Sequence, residues 1–344
     1  MQYRTLPQTD LQIPVLTLGT ATFGGSHGFE GWGHVDVAEA TRMVDLSLDA
    51  GINMFDTADV YSRGWSEEIL GRALASHDRS RLLIASKGGF RMGEAVETGG
   101  ASRRHLTEAC EASLRRLGTD YIDLYYVHGF DNTVAVEETL RALDDLVASG
   151  KVRYIGCSNY SGWHLMKSQA VADAQGLHRF SAHQVYYSLL NRDFEWELMP
   201  LGVDQQVGTI VWSPLAAGRL AGRYRRGVPV PADSRVANNG VPVRDNIVDY
   251  ETLYRIVDVL DEISVETGHS VAQVALNWLL QRPTITSLVI GARTESHLQQ
   301  NLDAVNFTLT PEQVSRLDQA SRQPKTYPYW HQDLKPELKA QIFP

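Results

Sequence analysis

Eight short apolar runs alternate with helical patterns along the 344 residues of this chain. The runs are nearly continuous in apolar residues, which is typical of parallel strands buried on both faces. They lie at residues 15–20, 52–57, 81–87, 121–128, 152–159, 180–187, 208–215 and 286–292. A doubly wound open sheet would normally have fewer strands in a chain of this length. The pattern therefore predicts a closed (β/α)8 TIM barrel.

Helical patterns between the runs begin and end at residues that commonly cap helices. The pattern over residues 37–50 is followed by Gly51, and another runs from an N-cap at Ser102 to Gly118. A third ends near Gly150. Serine accepts hydrogen bonds from the first free N–H groups of a helix, and glycine adopts the left-handed conformation that ends one.

Three segments fall outside the eight units, and no Pro/Ser-rich linker divides the chain. We therefore expect one domain over residues 1–344. The additional segments are an N-terminal β-hairpin (residues 3–6 and 12–15), a long Arg/Gly/Pro segment after the seventh strand (218–247), and a C-terminal tail (323–344) over or beside the barrel mouth.

Composition narrows the class of protein. A net charge of −9 argues against nucleic acid or an anionic membrane as the main partner. The two cysteines, Cys110 and Cys157, form no CxxC pattern, which fits a reducing compartment and predicts no disulfide and no thiolate metal site. The polar N-terminus indicates no signal peptide, and no run approaches the roughly 20 apolar residues of a membrane span. We expect a soluble, cytoplasmic protein.

Polar residues at the ends of the runs predict where chemistry takes place, because barrel active sites form at the C-terminal ends of the strands. The second run ends at Asp56, the third at Lys87 and the fourth at His128, with Tyr61 on the loop after Asp56. Neighbouring strands lie about 4.8 Å apart, so these side chains can converge. Later strand ends carry Ser158, Asn159, Gln184, Trp212 and Ser213.

Four of these side chains complement one another chemically: Asp56, Tyr61, Lys87 and His128. Lys87 would lower the pKa of Tyr61 from about 10 and make the phenol a better acid at neutral pH. Asp56 would keep Lys87 charged, and His128 could orient a substrate oxygen. Each residue alone is more commonly structural. Together, on three consecutive strand ends, they predict a site that protonates a carbonyl oxygen as it becomes an alkoxide.

A proton donor without a nucleophile or metal suggests that a nicotinamide supplies a hydride, although no GxGxxG follows the first strand. Barrels bind phosphate after strands seven and eight, where Arg293 precedes a helix that opens with Thr294 and Glu295. A 2′-phosphate there would distinguish NADP from NAD, although Arg293 could instead merely cap a surface loop. Trp212 could stack on the nicotinamide or belong to the core. Arginines of the segment 218–247 could close over a pyrophosphate or be solvated: Arg219, Arg223, Arg225, Arg226 and Arg235.

These segments resemble the aldo-keto reductases over essentially the whole chain, in particular the branch of bacterial enzymes and potassium-channel β-subunits. "GINMFDTADVYSRGWSEEILG" resembles the strand-two signature with Asp56 and Tyr61, "IASKGG" supplies Lys87, and "DLYYVHGFD" supplies His128. The resemblance implies reversible NADPH-dependent reduction of an aldehyde or ketone, with the proton from Tyr61 and no metal.

The resemblance also implies a cofactor site. "GKVRYIGCSNY" resembles the segment that binds the nicotinamide carboxamide, and "VWSPLAAGRLAGRY" resembles the stacking and pyrophosphate segment. The implied residues are Gly19, Thr20, Asp56, Ser158, Asn159, Gln184, Trp212, Ser213, Pro214, Leu215, Gly218, Arg223, Arg235, Gly291, Arg293, His297, Gln300 and Asn301. The family often has glutamine and glutamate at the positions of His297 and Gln300. The resemblance implies that NADP(H) is preferred, and the loss of the glutamate carboxylate at Gln300 leaves NAD(H) as the alternative.

The substrate is the least constrained part of the interpretation. An aromatic mouth would accept ring-bearing or bulky carbonyls, although tail aromatics could instead pack on the rim or on a partner subunit. Candidate walls are Phe23, Trp32, Phe90, Phe130, Tyr327, Tyr329 and Trp330.

Two other functions stay open. One is an NADP(H)-binding regulatory or redox-sensing module with weak catalysis, as the channel β-subunit branch illustrates. The other, ranked last, is an aldolase-like Schiff base on Lys87, because Asp56 and Tyr61 favour a charged lysine. The implied partner is a small-molecule carbonyl compound, and a homo-oligomer is left open.

Overall fold

The computed structural model describes residues 1–95, 98–238 and 248–334. Its strands are β1 (Tyr3–Thr5), β2 (Gln12–Pro14), β3 (Leu16–Gly19), β4 (Met54–Asp56), β5 (Leu83–Gly88), β6 (Ile122–Val127), β7 (Val152–Ser158), β8 (Ala182–Tyr186), β9 (Gly208–Trp212) and β10 (Ile285–Gly291). Strands β3 to β10 form a closed barrel in chain order, in which β10 pairs with β3. All pairs in the barrel are parallel. The predicted (β/α)8 TIM barrel is confirmed.

Helices surround the barrel, and their ends follow the capping signals in the sequence. The helices of the described residues are α1 (Val37–Asp49), α2 (Trp65–Leu74), α3 (Arg103–Leu117), α4 (Val136–Ala148), α5 (Gly162–Gln175), α6 (Leu198–Gln205), α7 (Tyr250–Thr267), α8 (Val271–Leu280), α9 (Glu295–Leu302), α10 (Pro311–Ala320) and α11 (Tyr329–Gln332). Ser102 accepts a hydrogen bond from the N–H of His105, and Gly118 ends α3 with a φ of 66°. Both predicted ends of α3 are therefore confirmed.

Alternate positions of the strands face the barrel interior, because successive side chains of a strand point to opposite faces. One apolar cluster includes Met54, Ala85, Leu124, Ala182 and Ile210. Two residues further along β4, β5, β8 and β9 come Asp56, Lys87, Gln184 and Trp212. The strand period therefore directs these side chains toward the same axis at the C-terminal end of the barrel.

The opposite end of the barrel is closed by the predicted N-terminal hairpin. Strands β1 and β2 pair antiparallel, and Leu6, Leu11 and Ile13 belong to the interior cluster. The Arg4 guanidinium donates to the carbonyl of Leu280 at 2.6 Å and also to that of Ile285, at the start of β10. The plugged end leaves the C-terminal ends of the strands as the open face.

The described part of the tail lies beside this open face, against the loop after β8. Gln323 Nε2 donates to the carbonyl of Leu190 at 2.8 Å, and the rings of Tyr329 and Trp196 lie 6.1 Å apart. Residues 335–344 of the tail and 239–247 of the predicted Arg/Gly/Pro segment lie outside the described residues. Within the described ranges, every helix is too short or too polar to cross a lipid bilayer.

Candidate active site

Lys87 connects Asp56 and Tyr61 at the open end of the barrel. Its Nζ donates to Asp56 Oδ1 at 2.6 Å and to the carbonyl of Thr57 at 2.8 Å, and it lies 3.5 Å from Tyr61 Oη. The other Asp56 oxygen accepts from Gln184 Nε2 at 2.7 Å. Lys87 and Asp56 are buried. The structure therefore joins groups from β4, β5 and β8 in one hydrogen-bonded set.

Burial and charge oppose each other in setting the pKa of Lys87. Burial lowers this pKa, but Asp56 and Tyr61 raise it by more, so its net direction is upward. A buried ammonium is costly unless it is paired, and here the carboxylate supplies the pairing. Lys87 therefore stays charged at neutral pH.

The expected direction for Tyr61 was wrong. Burial raises the pKa of the Tyr61 phenol above its ordinary value of about 10, and the lowering by Lys87 only partly offsets this. The sequence reveals the neighbouring charge but not the extent of desolvation. A raised pKa keeps the phenol protonated at neutral pH, so the group still carries a proton to give.

His128 lies next to Tyr61 as a neutral imidazole. The two ring centroids are 6.0 Å apart, and the Phe90 ring stacks on His128 at 4.0 Å. Burial lowers the pKa of His128 well below its usual range, and Lys87 lowers it further. Its Nδ1 has no hydrogen-bond partner within the described residues. The ring is therefore uncharged at neutral pH.

Asn159 links the ends of three strands. Its Nδ2 donates to the carbonyl of His128 at 3.0 Å and to Ser158 Oγ at 3.1 Å, while its Oδ1 accepts from Trp212 Nε1 at 3.0 Å. The Trp212 ring packs on Tyr186 at 4.7 Å and is only partly buried. Trp212 therefore presents a flat ring at the barrel rim, fixed by its hydrogen bond to Asn159, and does not belong to the core.

Arg235 carries a positive charge without an acidic partner in the described part of the chain. Its guanidinium lies 4.6 Å above the Trp32 ring. Burial lowers its pKa to about 10, with Arg293 adding to the lowering and Tyr61 opposing it. A Cβ built on Gly291 would lie 3.8 Å from the Arg235 guanidinium. A desolvated cation of this kind suits an anion.

The other arginines named from the sequence are already bonded to the protein. Arg293 donates to the carbonyls of Trp32 at 3.2 Å, Asp233 at 2.7 Å and Gly31 at 2.8 Å, so it joins two loops. Arg223 pairs with Asp233. Arg225 and Arg226 pair with carboxylates of α7, and Arg219 is buried with Nη1 3.3 Å from the carbonyl of Ala216.

The remaining cofactor candidates lie on the same face of the barrel. Gly19 at the end of β3 pairs with Asp56 on one side and with Gly291 on the other. Thr20 Oγ1 donates to the carbonyl of Asp56 at 3.2 Å. Ser213 and Gly218 adopt positive φ values of 53° and 87° in the segment that also contains Pro214 and Leu215. On α9, Thr294 is the N-cap, His297 and Gln300 are exposed, and Asn301 is buried.

The candidate substrate residues separate into four groups. Trp32 and Phe90 lie beside Arg235 and His128. Phe130 instead stacks on His164 at 3.6 Å, and the tail residues Tyr327 and Trp330 are exposed. Phe23 is fully buried in the main core, and its backbone bridges to Val35, so it offers no surface to a ligand. Phe23 was predicted as a wall of the substrate site, and its packing in the core contradicts that prediction.

Sequence reasoning missed two features next to Tyr61. The Phe29 ring lies 5.4 Å from the Tyr61 ring, although nothing distinguished it from other aromatics of the first loop. Glu67 and Arg116 form a largely buried ion pair at 2.7 Å behind the site. Both charges fall on apolar faces of helical patterns, which could have signalled the pair.

Comparison with known proteins identifies the family to which this chain is similar. The model of the aldo/keto reductase family matches residues 15–322. Versiconal hemiacetal acetate reductase from Aspergillus parasiticus is 34% identical, with 93% of this chain and 96% of that protein covered. A probable voltage-gated potassium channel subunit beta from Arabidopsis thaliana is 34% identical, with 95% and 100% covered. L-glyceraldehyde 3-phosphate reductase from Escherichia coli (strain K12) is 34% identical, with 93% and 92% covered.

This chain therefore belongs to the aldo/keto reductase family, and the predicted family is confirmed. It is an NAD(P)H-dependent oxidoreductase.

Proposed function

We propose that this chain reduces an aldehyde or ketone to the alcohol with NADPH, and that Tyr61 donates the proton. The observation that carries the proposal is the position of Lys87 Nζ, 2.6 Å from Asp56 Oδ1 and 3.5 Å from Tyr61 Oη. A phenol beside a fixed ammonium can lose its proton to a developing alkoxide, because the ammonium stabilises the phenolate that remains.

Each member of the site has a distinct part in the proposed proton transfer. Tyr61 Oη gives its proton to the carbonyl oxygen, and the phenolate later regains one from solvent. Lys87 stays charged because Asp56 pairs with it. The neutral His128 ring hydrogen-bonds the same oxygen and orients it. When bound, the nicotinamide supplies the hydride that the carbonyl carbon accepts.

Side chains on the open face fit a dinucleotide phosphate. The ring of Trp212 would stack on the nicotinamide, and Ser158 and Asn159 would bind its carboxamide. The positive charge of Arg235 has no acidic partner in the described part of the chain. The N-terminus of α9 lies next along the chain from Arg293. This excess of positive charge supports NADPH over NADH, because the 2′-phosphate adds negative charge.

The remaining expectations belong to the same proposal. The aromatic rings of Phe29, Trp32 and Phe90 near Tyr61 and His128 suit a bulky or ring-bearing carbonyl. Contacts of both the hairpin and the tail with the barrel support a single domain over residues 1–344. Both cysteines are unpaired and buried, which fits a cytoplasmic location. A homo-oligomer stays open.

The test measures loss of NADPH absorbance with a panel of aldehydes and ketones, with NADH run in parallel. Tyr61→Phe removes only the phenolic hydroxyl, and we expect the rate to fall by about 10² or more. Tyr154→Phe is the matched control, because its hydroxyl bonds Asp10 away from the site and its loss should leave the rate unchanged. Equal rates for the two variants would contradict the assignment of Tyr61.

Similarity to potassium channel subunits favours one alternative, a regulatory or redox-sensing module. Tight NADPH binding without consumption of any carbonyl compound would support that module over the reductase. Trapping of a carbonyl substrate on Lys87 by borohydride would instead indicate Schiff-base chemistry, which a charged lysine disfavours. Failure to bind either nicotinamide would overturn both cofactor-based proposals.

A further inference from the structure

The turn that carries Tyr61 continues in a left-handed conformation. Ser62, Arg63 and Gly64 follow with φ values of 49°, 51° and 90°. Residues other than glycine rarely adopt the left-handed backbone region. The resulting backbone strain persists only where surrounding contacts impose this conformation. The contacts that impose it here therefore help to determine where the Tyr61 hydroxyl lies.

Arg116, near the end of α3, makes the contact behind this turn. A Cβ built on Gly64 would lie 2.7 Å from both Cδ and Nε of Arg116, so the guanidinium stem packs directly on the glycine. Nε of Arg116 donates to Glu67 Oε2 at 2.7 Å, and Nη2 lies 3.3 Å from Ser113 Oγ. Arg116 is therefore held at its tip while its stem supports the turn.

Glu67 extends this connection to the strand that carries the lysine. Its other oxygen, Oε1, accepts from Ser86 Oγ at 2.6 Å, and Ser86 immediately precedes Lys87 on β5. Glu67 is fully buried. A continuous set of contacts thus runs from Lys87 through Ser86, Glu67 and Arg116 to Gly64, three residues beyond Tyr61.

A second buried carboxyl group, that of Asp59, lies near Lys87, Glu67 and Arg116. Its N–H donates to the carbonyl of Lys87 at 3.1 Å, while neither carboxyl oxygen has a partner within the described residues. Burial and Glu67 raise the pKa of Asp59 well above its usual range, and Arg116 and Lys87 oppose this. Arg116 therefore favours the ionised form of the Asp59 carboxyl, against the effect of burial.

We propose that Arg116 is a positioning residue that, through Gly64 and Glu67, fixes the Tyr61 hydroxyl within reach of Lys87. The inference rests on the proposed function, because it concerns the proton donor of that reaction. The charged or titratable groups that face Tyr61 are Lys87, Asp56, Asp59, His128 and Arg235. Arg116 acts on Tyr61 only through the turn and the ion pair.

Gly64→Ala tests the packing contact. The new Cβ would push the Arg116 stem and the turn apart. We expect kcat to fall roughly 10- to 100-fold, because small misplacements of a reacting group have effects of this size. The Kd for NADPH and the KM for the carbonyl substrate should stay near the wild-type values. Gly268→Ala is the matched control, because Gly268 has a φ of 72° and open space around it.

The double variant Arg116→Met with Glu67→Gln tests the ion pair without leaving a buried unpaired charge. We expect it to be more stable than Arg116→Met alone, while its kcat stays reduced. A purely structural role predicts that kcat recovers together with stability, and that result would overturn the proposal.

A crystal structure of Gly64→Ala measures the position directly and needs no turnover. The separation between Tyr61 Oη and Lys87 Nζ should exceed its present 3.5 Å, whereas Gly268→Ala should retain it. An unchanged separation would overturn the positioning role even if the wild-type protein is an active reductase. Absence of carbonyl reduction by the wild-type protein would refute the proposed function and leave this structural test intact.

Discussion

Asp56 uses both carboxylate oxygens, one on Lys87 and the other on Gln184. Its position at the end of a strand was enough to place it at the site. The Lys87 partnership also followed from the sequence, because adjacent parallel strands bring their last residues together. The degree of desolvation did not follow, and for that reason the pKa of Tyr61 was predicted in the wrong direction.

The pH dependence of the reduction follows from two pKa directions. The pKa of His128 is well below its usual range, so the imidazole is neutral across neutral pH and gains a proton only in acid. The pKa of Tyr61 is raised, so the phenol loses its proton only at alkaline pH. In the proposed mechanism, reduction needs a neutral imidazole at His128 and a protonated phenol at Tyr61. We therefore expect kcat/KM to be flat from about pH 6 to about pH 9 and to fall only above about pH 10, where the phenol with its raised pKa loses its proton.

The measurement is the rate of NADPH oxidation across that range, with substrate well below KM. A fall in kcat/KM centred near pH 6.5 that disappears in His128→Gln would contradict the assigned state of the imidazole.

Arg293 shows a related limit of sequence reasoning at single residues. Its guanidinium was predicted either to bind a phosphate or to cap a surface loop. In the structure it donates to three loop carbonyls, because loop conformation decides which acceptors come within reach. The phosphate contact stays a prediction.

Among the structural elements, the strands were the most predictable, since their apolar runs and their order determine the barrel. Loops were the least predictable. Phe23 lies in a glycine-rich segment but packs in the core, and the Arg116 contact depends on a left-handed turn that no periodicity reveals. Strand β7 provides a further example, because Gly156 lies in a strand interior where glycine normally weakens the structure.

Gly156 makes room for a neighbouring ring inside the barrel. A Cβ at this position would lie 2.6 Å from Cδ1 of Tyr126 and 2.9 Å from the carbonyl of Ala182. We expect Gly156→Ala to lower the free energy of unfolding by roughly 1–3 kcal/mol, as overpacked cores do. Adding Tyr126→Leu should recover part of the loss. Urea unfolding measures both, and strict additivity of the two substitutions would show that the ring is not the obstacle.

At the scale of the whole molecule, stability depends on histidines that are buried without charge. His183 on β8 accepts the N–H of Tyr160 at 3.3 Å, and burial lowers its pKa to about 3. An unfolded chain would bind a proton at this residue near pH 6.5, whereas the folded chain does not. The contribution of His183 is therefore fully present above that pH and is lost as the pH falls toward 3.

We expect the free energy of unfolding to fall by about 1.4 kcal/mol per pH unit below pH 6.5 on account of His183. Urea unfolding at several pH values between about 7.5 and about 5 measures this slope. His183→Gln should reduce the slope, while His331→Gln, at an exposed position, should leave it unchanged. An identical slope in both variants would mean that other groups carry the acid sensitivity.

Closure of the barrel joins the two extremes of the sequence, since β3 pairs with β10 and Arg4 reaches the carbonyl of Leu280, 276 positions away. Contacts between residues so far apart in sequence form late, because closing a long loop costs conformational entropy before the contacts can stabilise the fold. During synthesis, the N-terminal hairpin and β3 emerge before the other barrel strands. Strand β10, which pairs with β3, emerges after all of them. Until β10 arrives, the sheet has two bare edges, at β3 and at β9, where another chain could add a strand. The nascent protein is therefore most exposed to mispairing just before its own last strand completes the ring.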